Sequence, residues 1–350
     1  MRVRPRVGAV ALVLLAGAAP VACSDEPPPP AATASPSPAP APTPTAKPKP
    51  PPAVNPLTGL SGVPRKPVIA VKIDDTRPSR PQIGVGAADL VYVEQVEGGA
   101  TRLVAVFASR QPATVGPVRS VRNNDPEILG NYGRPALAYS GGADGPVARL
   151  RRSRLIDRGA QVVGGPYRRL GTRPAPYNLV VNLPALARTL RGSGVSGPRD
   201  VGMRWARTDP RVAAMRRAIT ITVMVGNIPQ RFRWDPRGRS YLVLEPDGTP
   251  RRDPAGRALR TANVLVPFSR ARLDPSNVDV LGTPSVYTST VGRGRLLLFR
   301  DGRAAGGTWV RPTPTSRTSY LDGTGRRHLT LAPGGAWVLL ATTGASATYR

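Results

Sequence analysis

Residues 89–108 read DLVYVEQVEGGATRLVAVFA, two apolar runs separated by Glu97-Gly98-Gly99-Ala100. Valine, leucine and phenylalanine are typical of strands, and a four-residue connection with two glycines is typical of a hairpin. This stretch therefore predicts two strands joined as a hairpin, over residues 89–96 and 101–108.

Mixed elements surround the hairpin. The run PVIAVKI at residues 67–73 predicts a buried strand ending at Asp74-Asp75, and Asp125-Pro126-Glu127 predicts a short helix with Asp125 as its N-cap. Four more elements follow: a strand over 135–139, a helix that runs to about residue 156 after the glycine turn at 140–146, a strand over 177–182 and a short helix over 184–190. Residues 55–195 therefore predict an α/β (or α+β) domain.

From about residue 218 the chain changes to short strand-like runs separated by turns such as Asp301-Gly302. The runs cover residues 219–225, 241–245, 263–268, 295–300, 307–311 and 336–341. They predict a smaller, mainly antiparallel β domain over residues 205–345. The Gly- and Ser-rich loop at 192–198 is the predicted boundary between the two domains.

The first 22 residues have the signature of a secretory signal peptide, with a basic start and an apolar stretch over residues 7–19. That stretch is shorter than the about 20 residues needed to span a bilayer. The sequence Pro20-Val21-Ala22-Cys23 resembles a bacterial lipobox, although Pro20 stands where leucine is usual. Cys23, the single cysteine of the chain, is therefore the predicted site of lipid (palmitate-type) attachment. The alternative is an ordinary signal peptide followed by a coincidental cysteine.

A spacer follows the cysteine. Residues 23–54 consist largely of Pro, Ala, Ser and Thr, a composition that cannot bury a core and favours extended polyproline II. Roughly 30 such residues reach on the order of 90 Å. We therefore expect a folded part tethered by lipid to the outer face of a bacterial cytoplasmic membrane.

The net charge of +29 raises the question of nucleic-acid binding, since most of the 50 basic residues are arginine. The basic residues are scattered, only 5% of residues are aromatic, and the signal peptide directs the chain out of the cytoplasm. No nucleic-acid partner is therefore expected, and a GC-rich genome also enriches arginine over lysine. A cationic protein is nonetheless attracted to anionic lipid headgroups and wall polymers.

Histidine and cysteine content limits the available chemistry. His328 is the single histidine, and we expect it on a surface strand without the partners of a Ser-His-Asp site. Because Cys23 is expected to be acylated, soft ligands for zinc are lacking, and no acidic loop has calcium-binding spacing. Neither a metal nor a cofactor is expected.

Polar residues gather where the predicted strands end: Asp74, Asp75, Glu94, Glu97, Arg119 and Arg122. Ligands of α/β sheets collect at the carboxyl ends of strands, so these side chains could share one cleft. Glu94 and Glu97 could then serve as acid and base on a glycosidic bond, while the two arginines clamp a phosphate or carboxylate. The alternative is that all six form structural ion pairs and caps.

Gly141 and Gly142 precede a predicted helix and form a second candidate site. Exposed amides at a helix start attract anions, and glycine allows a ligand to approach closely. The P-loop lysine is missing, however, and Asp144 would repel an anion. Ordinary turn chemistry is the alternative interpretation.

Several motifs, in order, resemble those of the YerB-like bacterial lipoproteins of unknown function. They are NPLTGL at 55–60, Val93-Glu94 to Gly99 with Thr101-Arg102, VGPVRS at 115–120 with Arg122, Gly141-Gly142, Asn263-Val264, residues 292–309 and LAPGGAW at 331–337. The resemblance implies N- and C-terminal YerB-like domains on a lipid anchor, and Arg102 joins the ligand-binding candidates. It implies no reaction. Tyr177 stands where we expect the family to have histidine, so a site that uses that imidazole would be missing here.

These observations favour a non-catalytic extracytoplasmic lipoprotein that binds a cell-wall component or a wall-synthesis protein through its N-terminal domain. The alternative is a carboxylate-dependent hydrolase or transferase acting on an anionic wall polymer. Two carboxylates about 5 to 10 Å apart across an open cleft would favour the enzyme. Burial of Glu94 and Glu97 in ion pairs with arginine would argue against it.

Overall fold

The computed structural model describes residues 53–279 and 282–350. Cys23, the signal peptide and nearly all of the spacer lie outside these residues, so the predictions made for them stay predictions. Within the described part, no helix combines the length and apolar composition that crossing a bilayer requires.

The N-terminal part of the fold alternates strands with short helices. Its elements are β1 (Ile69–Asp74), β2 (Leu90–Gln95), β3 (Thr101–Phe107), α1 (Asp125–Leu129), β4 (Ala136–Ala138), α2 (Asp144–Arg151), β5 (Ile156–Asp157), α3 (Ala160–Val163), β6 (Tyr167–Arg169), β7 (Leu179–Val181) and α4 (Leu183–Arg188).

The C-terminal part consists of strands and turns. Its strands are β8 (Arg216–Arg217), β9 (Thr220–Val225), β10 (Ile228–Asp235), β11 (Ser240–Leu244), β12 (Arg260–Thr261), β13 (Asn263–Ser269), β14 (Ala271–Val278), β15 (Pro284–Thr288), β16 (Gly292–Arg300), β17 (Arg303–Arg311), β18 (Ser319–Asp322), β19 (Ala336–Leu339), β20 (Ala341–Thr342) and β21 (Ala347–Tyr349).

One large mixed sheet runs through both parts of the chain. Its main order is β18-β17-β16-β13-β19-β2-β3-β1-β4-β5. The junction is β19, which lies parallel to β13 on one side and parallel to β2 on the other. A second sheet, ordered β12-β11-β10-β9-β21, and the hairpin β14–β15 complete the C-terminal part.

Both faces of the central strands are covered, so these strands are almost continuously apolar. In β1, Val71 and Ile73 belong to one hydrophobic core together with Phe232 of the second sheet. Ala70 of the same strand faces a second core with Tyr132. Full burial of each large apolar side chain contributes about 1.5–3 kcal/mol, so the two cores hold the layers together.

The predicted fold class is confirmed: an α/β part precedes a mainly antiparallel β part. The hairpin is confirmed as well, because β2 and β3 pair antiparallel with Glu94 opposite Arg102. The exact domain ends, including the boundary at 192–198, stay predictions.

The prediction that the second helix runs to about residue 156 is wrong. Helix α2 ends at Arg151, and the Ser153 hydroxyl then donates to Leu150 O (2.6 Å) and accepts from Leu155 N (3.2 Å). This serine turn releases the chain from the helix, and Ile156 enters β5 beside β4.

Two smaller predictions also need correction. Asp125 is not an N-cap; it is the first residue of α1, and its Oδ1 accepts from the buried Lys72 ammonium (2.7 Å). His328 is not in a strand but forms an isolated bridge to Leu321, because the chain has just turned through residues 322–327.

Candidate functional site

The ends of three neighbouring strands bring charged side chains together. Asp74 of β1 lies opposite Arg102 of β3, and Arg102 lies opposite Glu94 of β2. Paired residues of antiparallel strands point to the same face, and Lys72 shares that face because side chains alternate along a strand. Lysine, aspartate, arginine and glutamate therefore meet on one side of the sheet.

The surrounding ion pairs extend this group into what we call the charged cluster. Its members, equal numbers of acids and bases, are Lys72, Asp74, Asp75, Arg80, Glu94, Glu97, Arg102, Arg119, Arg122, Asp125, Glu245 and Arg251.

Lys72 lies at the centre of the cluster and has no solvent exposure. Its ammonium pairs with Glu94 Oε1 and lies 2.7 Å from Asp125 Oδ1. Burial lowers the pKa of Lys72 to about 8, and the contact with Asp125 limits that fall. A charged lysine needs both carboxylates here, because a buried charge without a partner is strongly destabilising.

Asp74 binds two arginines. Its carboxylate lies 3.5 Å from Arg102 Nη1 and 3.0 Å from Arg119 Nε, and it also accepts from the Thr76 amide (2.7 Å). The Arg119 guanidinium lies 5.9 Å from the centre of the Tyr177 ring. The tyrosine that replaces the expected histidine therefore supports Arg119 by a cation–π contact.

Glu97 and Arg122 form a two-point pair. Arg122 Nε lies 2.6 Å from Glu97 Oε1, and Arg122 Nη2 donates to Oε2 at 2.7 Å. Burial would raise the pKa of Glu97, but Arg122 outweighs it and holds that pKa below its ordinary value. Glu97 is therefore a paired carboxylate, with 9% of its surface exposed.

Asp75 points to the opposite face, where it reaches the C-terminal part of the chain. Its Oδ1 accepts from Arg251 Nη1 (2.8 Å), and its Oδ2 accepts from Thr101 Oγ1 (2.7 Å). Burial opposes ionisation, but Arg251 and Arg80 outweigh it and lower the pKa of Asp75. Arg80 and Arg251 also share Glu245, so this half of the cluster ties the two parts of the fold together.

Gly141 and Gly142 border the cluster through the backbone. The carbonyl of Gly141 accepts from Val121 N (2.8 Å), next to Arg122. A Cβ atom at Gly142 would lie 2.8 Å from a methyl group of Val121, and one at Gly141 would lie 2.7 Å from Gln161. Gly142 is thus required for close packing and Gly141 for its backbone conformation (φ 129°), which fits the alternative of ordinary turn chemistry.

The geometry favours a structural role for the cluster. An acid or base must exchange a proton with its substrate, yet Glu94 is fully buried and Glu97 is held by Arg122. As catalytic or ligand-binding residues the candidates stay predictions. Within residues 53–279 and 282–350, no three His, Cys, Asp or Glu side chains are grouped in a way that could hold a metal ion.

Sequence reasoning missed five members of the cluster: Lys72, Arg80, Glu245, Arg251 and Asp125, which was expected only as a helix cap. Lys72 had a signal, because a lysine inside the apolar run PVIAVKI must find a carboxylate if that strand is buried. Arg80 is close to Asp75 in sequence, but no pattern sets it apart from the many other arginines, and Glu245 and Arg251 are distant in sequence from the strand ends that they contact.

Comparison with known protein families matches two segments of the chain. Residues 57–196 match "Protein of unknown function (DUF3048) N-terminal domain", and residues 219–338 match "Protein of unknown function (DUF3048) C-terminal domain". Together the two matches cover well over half of the chain. They confirm the resemblance drawn from the motifs.

Two individual proteins are similar to this chain. "Putative lipoprotein YerB" of Bacillus subtilis (strain 168) is 46% identical over 71 residues, a match that covers 19% of this chain and 21% of that protein. The crystal structure of the YerB protein from Bacillus subtilis superposes with a TM-score of 0.68 and 21% identity, covering 85% of this chain and 99% of that chain. At that identity the structural match establishes a shared fold.

Proposed function

This chain belongs to the DUF3048 family of proteins of unknown function, and we propose that it is a lipid-anchored extracytoplasmic lipoprotein that binds an anionic cell-wall component without catalysis. The anchor is Cys23, after the signal peptide and before the proline-rich spacer. A relative whose name includes the word lipoprotein supports this location.

The observation that carries the non-catalytic assignment is the burial of the charged cluster. Glu94 and Glu97, the two carboxylates best placed by sequence for acid–base chemistry, are each held by a cation. Breaking such a pair is costly, so the cluster suits a scaffold better than a reaction centre.

The charge of the surface supports an anionic ligand. Many arginines are exposed, whereas most acidic side chains of the described part already lie in ion pairs. The excess positive charge is therefore free to attract an anionic polymer, with a strength that falls as salt rises.

Cell fractionation tests the anchor. Wild-type protein is expected in the membrane fraction, with acyl chains on Cys23 detected by mass spectrometry of the mature N-terminus. A Cys23→Ser variant is expected in the soluble fraction, because one modification site carries the whole anchor. An unmodified Cys23 in membrane-bound wild-type protein would contradict the proposal.

Retention by purified cell walls tests the ligand. The full chain, purified in mild detergent, is expected to bind intact walls at physiological salt and to lose that binding when the anionic polymers have been stripped from them. Retention only by a membrane extract would replace the wall component with a wall-synthesis protein. Retention by neither would overturn the proposed function.

A further inference from the structure

An open groove of about 300 Å³ lies between α1, the C-terminal end of α2 and the loop at residues 314–315. We call it the arginine groove. The residues that matter for its chemistry are Glu127, Arg149, Arg152, Arg154, Pro314 and Thr315.

The three arginines of the groove are exposed and form no ion pair with a carboxylate in the part of the chain that the structure describes. Their neighbour Arg151 differs, because its guanidinium lies 3.7 Å from Asp157. Arg149, Arg152 and Arg154 therefore bring positive charge that the protein itself leaves without a carboxylate partner.

Glu127 lines the same groove, but its carboxylate is already engaged by hydrogen bonds. It accepts from the Tyr287 hydroxyl, from Thr290 N (2.6 Å) and from Thr290 Oγ1 (3.1 Å). Burial, together with the nearby Glu127 carboxylate, raises the pKa of Tyr287, so the phenol keeps the proton that it donates. Glu127 thus offsets part of the positive charge, and the groove keeps a net cationic character.

Arg149 is held in position before any ligand arrives. Its Nη2 donates to the Tyr287 hydroxyl at 2.8 Å, and its guanidinium lies 5.1 Å from the centre of that ring. Arg152 and Arg154 flank Ser153, and the two hydrogen bonds of the Ser153 hydroxyl fix the backbone of this turn. Side chains and backbone fixed in advance lose less entropy on binding.

The opposite wall is also fixed by close packing. A Cβ atom at Gly130 would lie 2.4 Å from Pro314 O, so glycine is needed for the loop to approach α1. Arg311 donates to the carbonyls of both Glu127 (2.8 Å) and Pro314. The groove is therefore a built feature in which three segments meet.

We propose that the arginine groove binds a phosphate or phosphodiester group of an anionic wall polymer. Guanidinium groups bind phosphate by paired hydrogen bonds, and the oxygens of a phosphate point in tetrahedral directions, so arginines on different sides can donate to it at once, whereas the two oxygens of a carboxylate lie in one plane. A volume of about 300 Å³ is at the small end of ligand pockets, so it fits one repeat unit and not a folded partner. The choice of a wall polymer as the source of the phosphate rests on the proposed function. The inference that the groove binds phosphate rests on the arginines alone.

Calorimetric titration of the full chain with a short glycerol-phosphate oligomer tests the groove. The variant Arg149→Gln/Arg152→Gln/Arg154→Gln is expected to bind at least about 10-fold more weakly than wild type. The matched control, Arg237→Gln/Arg326→Gln/Arg327→Gln, loses the same charge from exposed positions outside the groove and is expected to change affinity by less than about twofold. If the triple variant does not fold, Arg152→Gln alone is expected to weaken binding at least about threefold.

Equal losses in the two triple variants would overturn the proposal, because binding would then follow net charge alone. Equal binding of a uronic-acid oligomer would overturn the choice of phosphate over carboxylate. Groove-dependent binding to phosphatidylglycerol vesicles, but not to the oligomer, would overturn the wall polymer as the source. If the oligomer binds through the groove but intact walls do not retain the protein, the groove proposal stands and the proposed function fails. If intact walls retain the groove triple variant as strongly as they retain wild type, the groove proposal fails and the proposed function stands.

Discussion

The charged cluster and the arginine groove use arginine in opposite ways. In the cluster, each arginine lies against at least one carboxylate and most of the side chains are buried. In the groove, Arg149, Arg152 and Arg154 are exposed and lie in a concave surface without such partners. A buried charge must be compensated within the fold, whereas an exposed uncompensated one is available to a ligand.

This difference separates stability from binding. Changes in the cluster should lower the free energy of unfolding, and changes in the groove should lower affinity for an anion. The sequence alone made the cluster a candidate site, since its carboxylates and arginines stand where strands end, and it left structural ion pairs as the alternative.

The largest effect is expected at the centre of the cluster. Replacing Lys72 by Met leaves Glu94 and Asp125 buried without their shared cation, so the free energy of unfolding should fall by about 3–5 kcal/mol. Urea unfolding followed by circular dichroism measures it. The matched control is Lys66→Met, because Lys66 is exposed and should change stability by less than about 0.5 kcal/mol. Equal stability of the two variants would show that the cluster does not hold the fold.

A smaller effect is expected from pH. Lys72 has a pKa of about 8 in the folded protein and 10.5 as its ordinary value, so between these limits the unfolded chain holds a proton that the folded chain has released. Stability therefore rises with pH in this window, by up to roughly 1.4 kcal/mol per unit, and is independent of this group below about pH 7. Urea unfolding at pH 7, 8, 9 and 10 should show that the free energy of unfolding of wild type rises relative to that of Lys72→Met. If the difference between the two proteins stays flat or falls with pH, the prediction is contradicted.

The central strands could be predicted because their apolar runs are bounded by turn residues. Strand β10 was missed although residues 231–235 of its sequence IPQRFRWD alternate charged and apolar residues, which is a strand pattern; the stretch is short, and a proline stands near the start of the strand. Strand β14 was missed for a related reason: it carries Pro275, most of its side chains are exposed, and it pairs only with β15 as a separate hairpin. A separate hairpin strand such as β14 buries little, so it leaves a weak pattern in the sequence.

The sequence also allowed the prediction that Asp74, Glu94 and Glu97 lie close together, because each lies at or near the end of a predicted strand and the ends of neighbouring strands lie side by side. What the sequence could not supply is whether those ends open to solvent. Arg251 closes one side of the cluster from a distant part of the chain, and β19 inserts beside β2 to make one sheet. The groove depends likewise on Tyr287 and the loop at 314–315, both remote from α2 in sequence.

A crossed comparison of two single variants tests the central claim most directly. Arg122→Gln breaks the pair with Glu97 in the cluster and should lower the free energy of unfolding by about 2–3 kcal/mol, with oligomer affinity changed less than about twofold. Arg152→Gln removes one cation from the groove. It should change the free energy of unfolding by less than about 0.5 kcal/mol and weaken binding of the glycerol-phosphate oligomer at least about threefold. If Arg122→Gln instead abolished binding at unchanged stability, the cluster would be the ligand site and the groove would be ordinary surface.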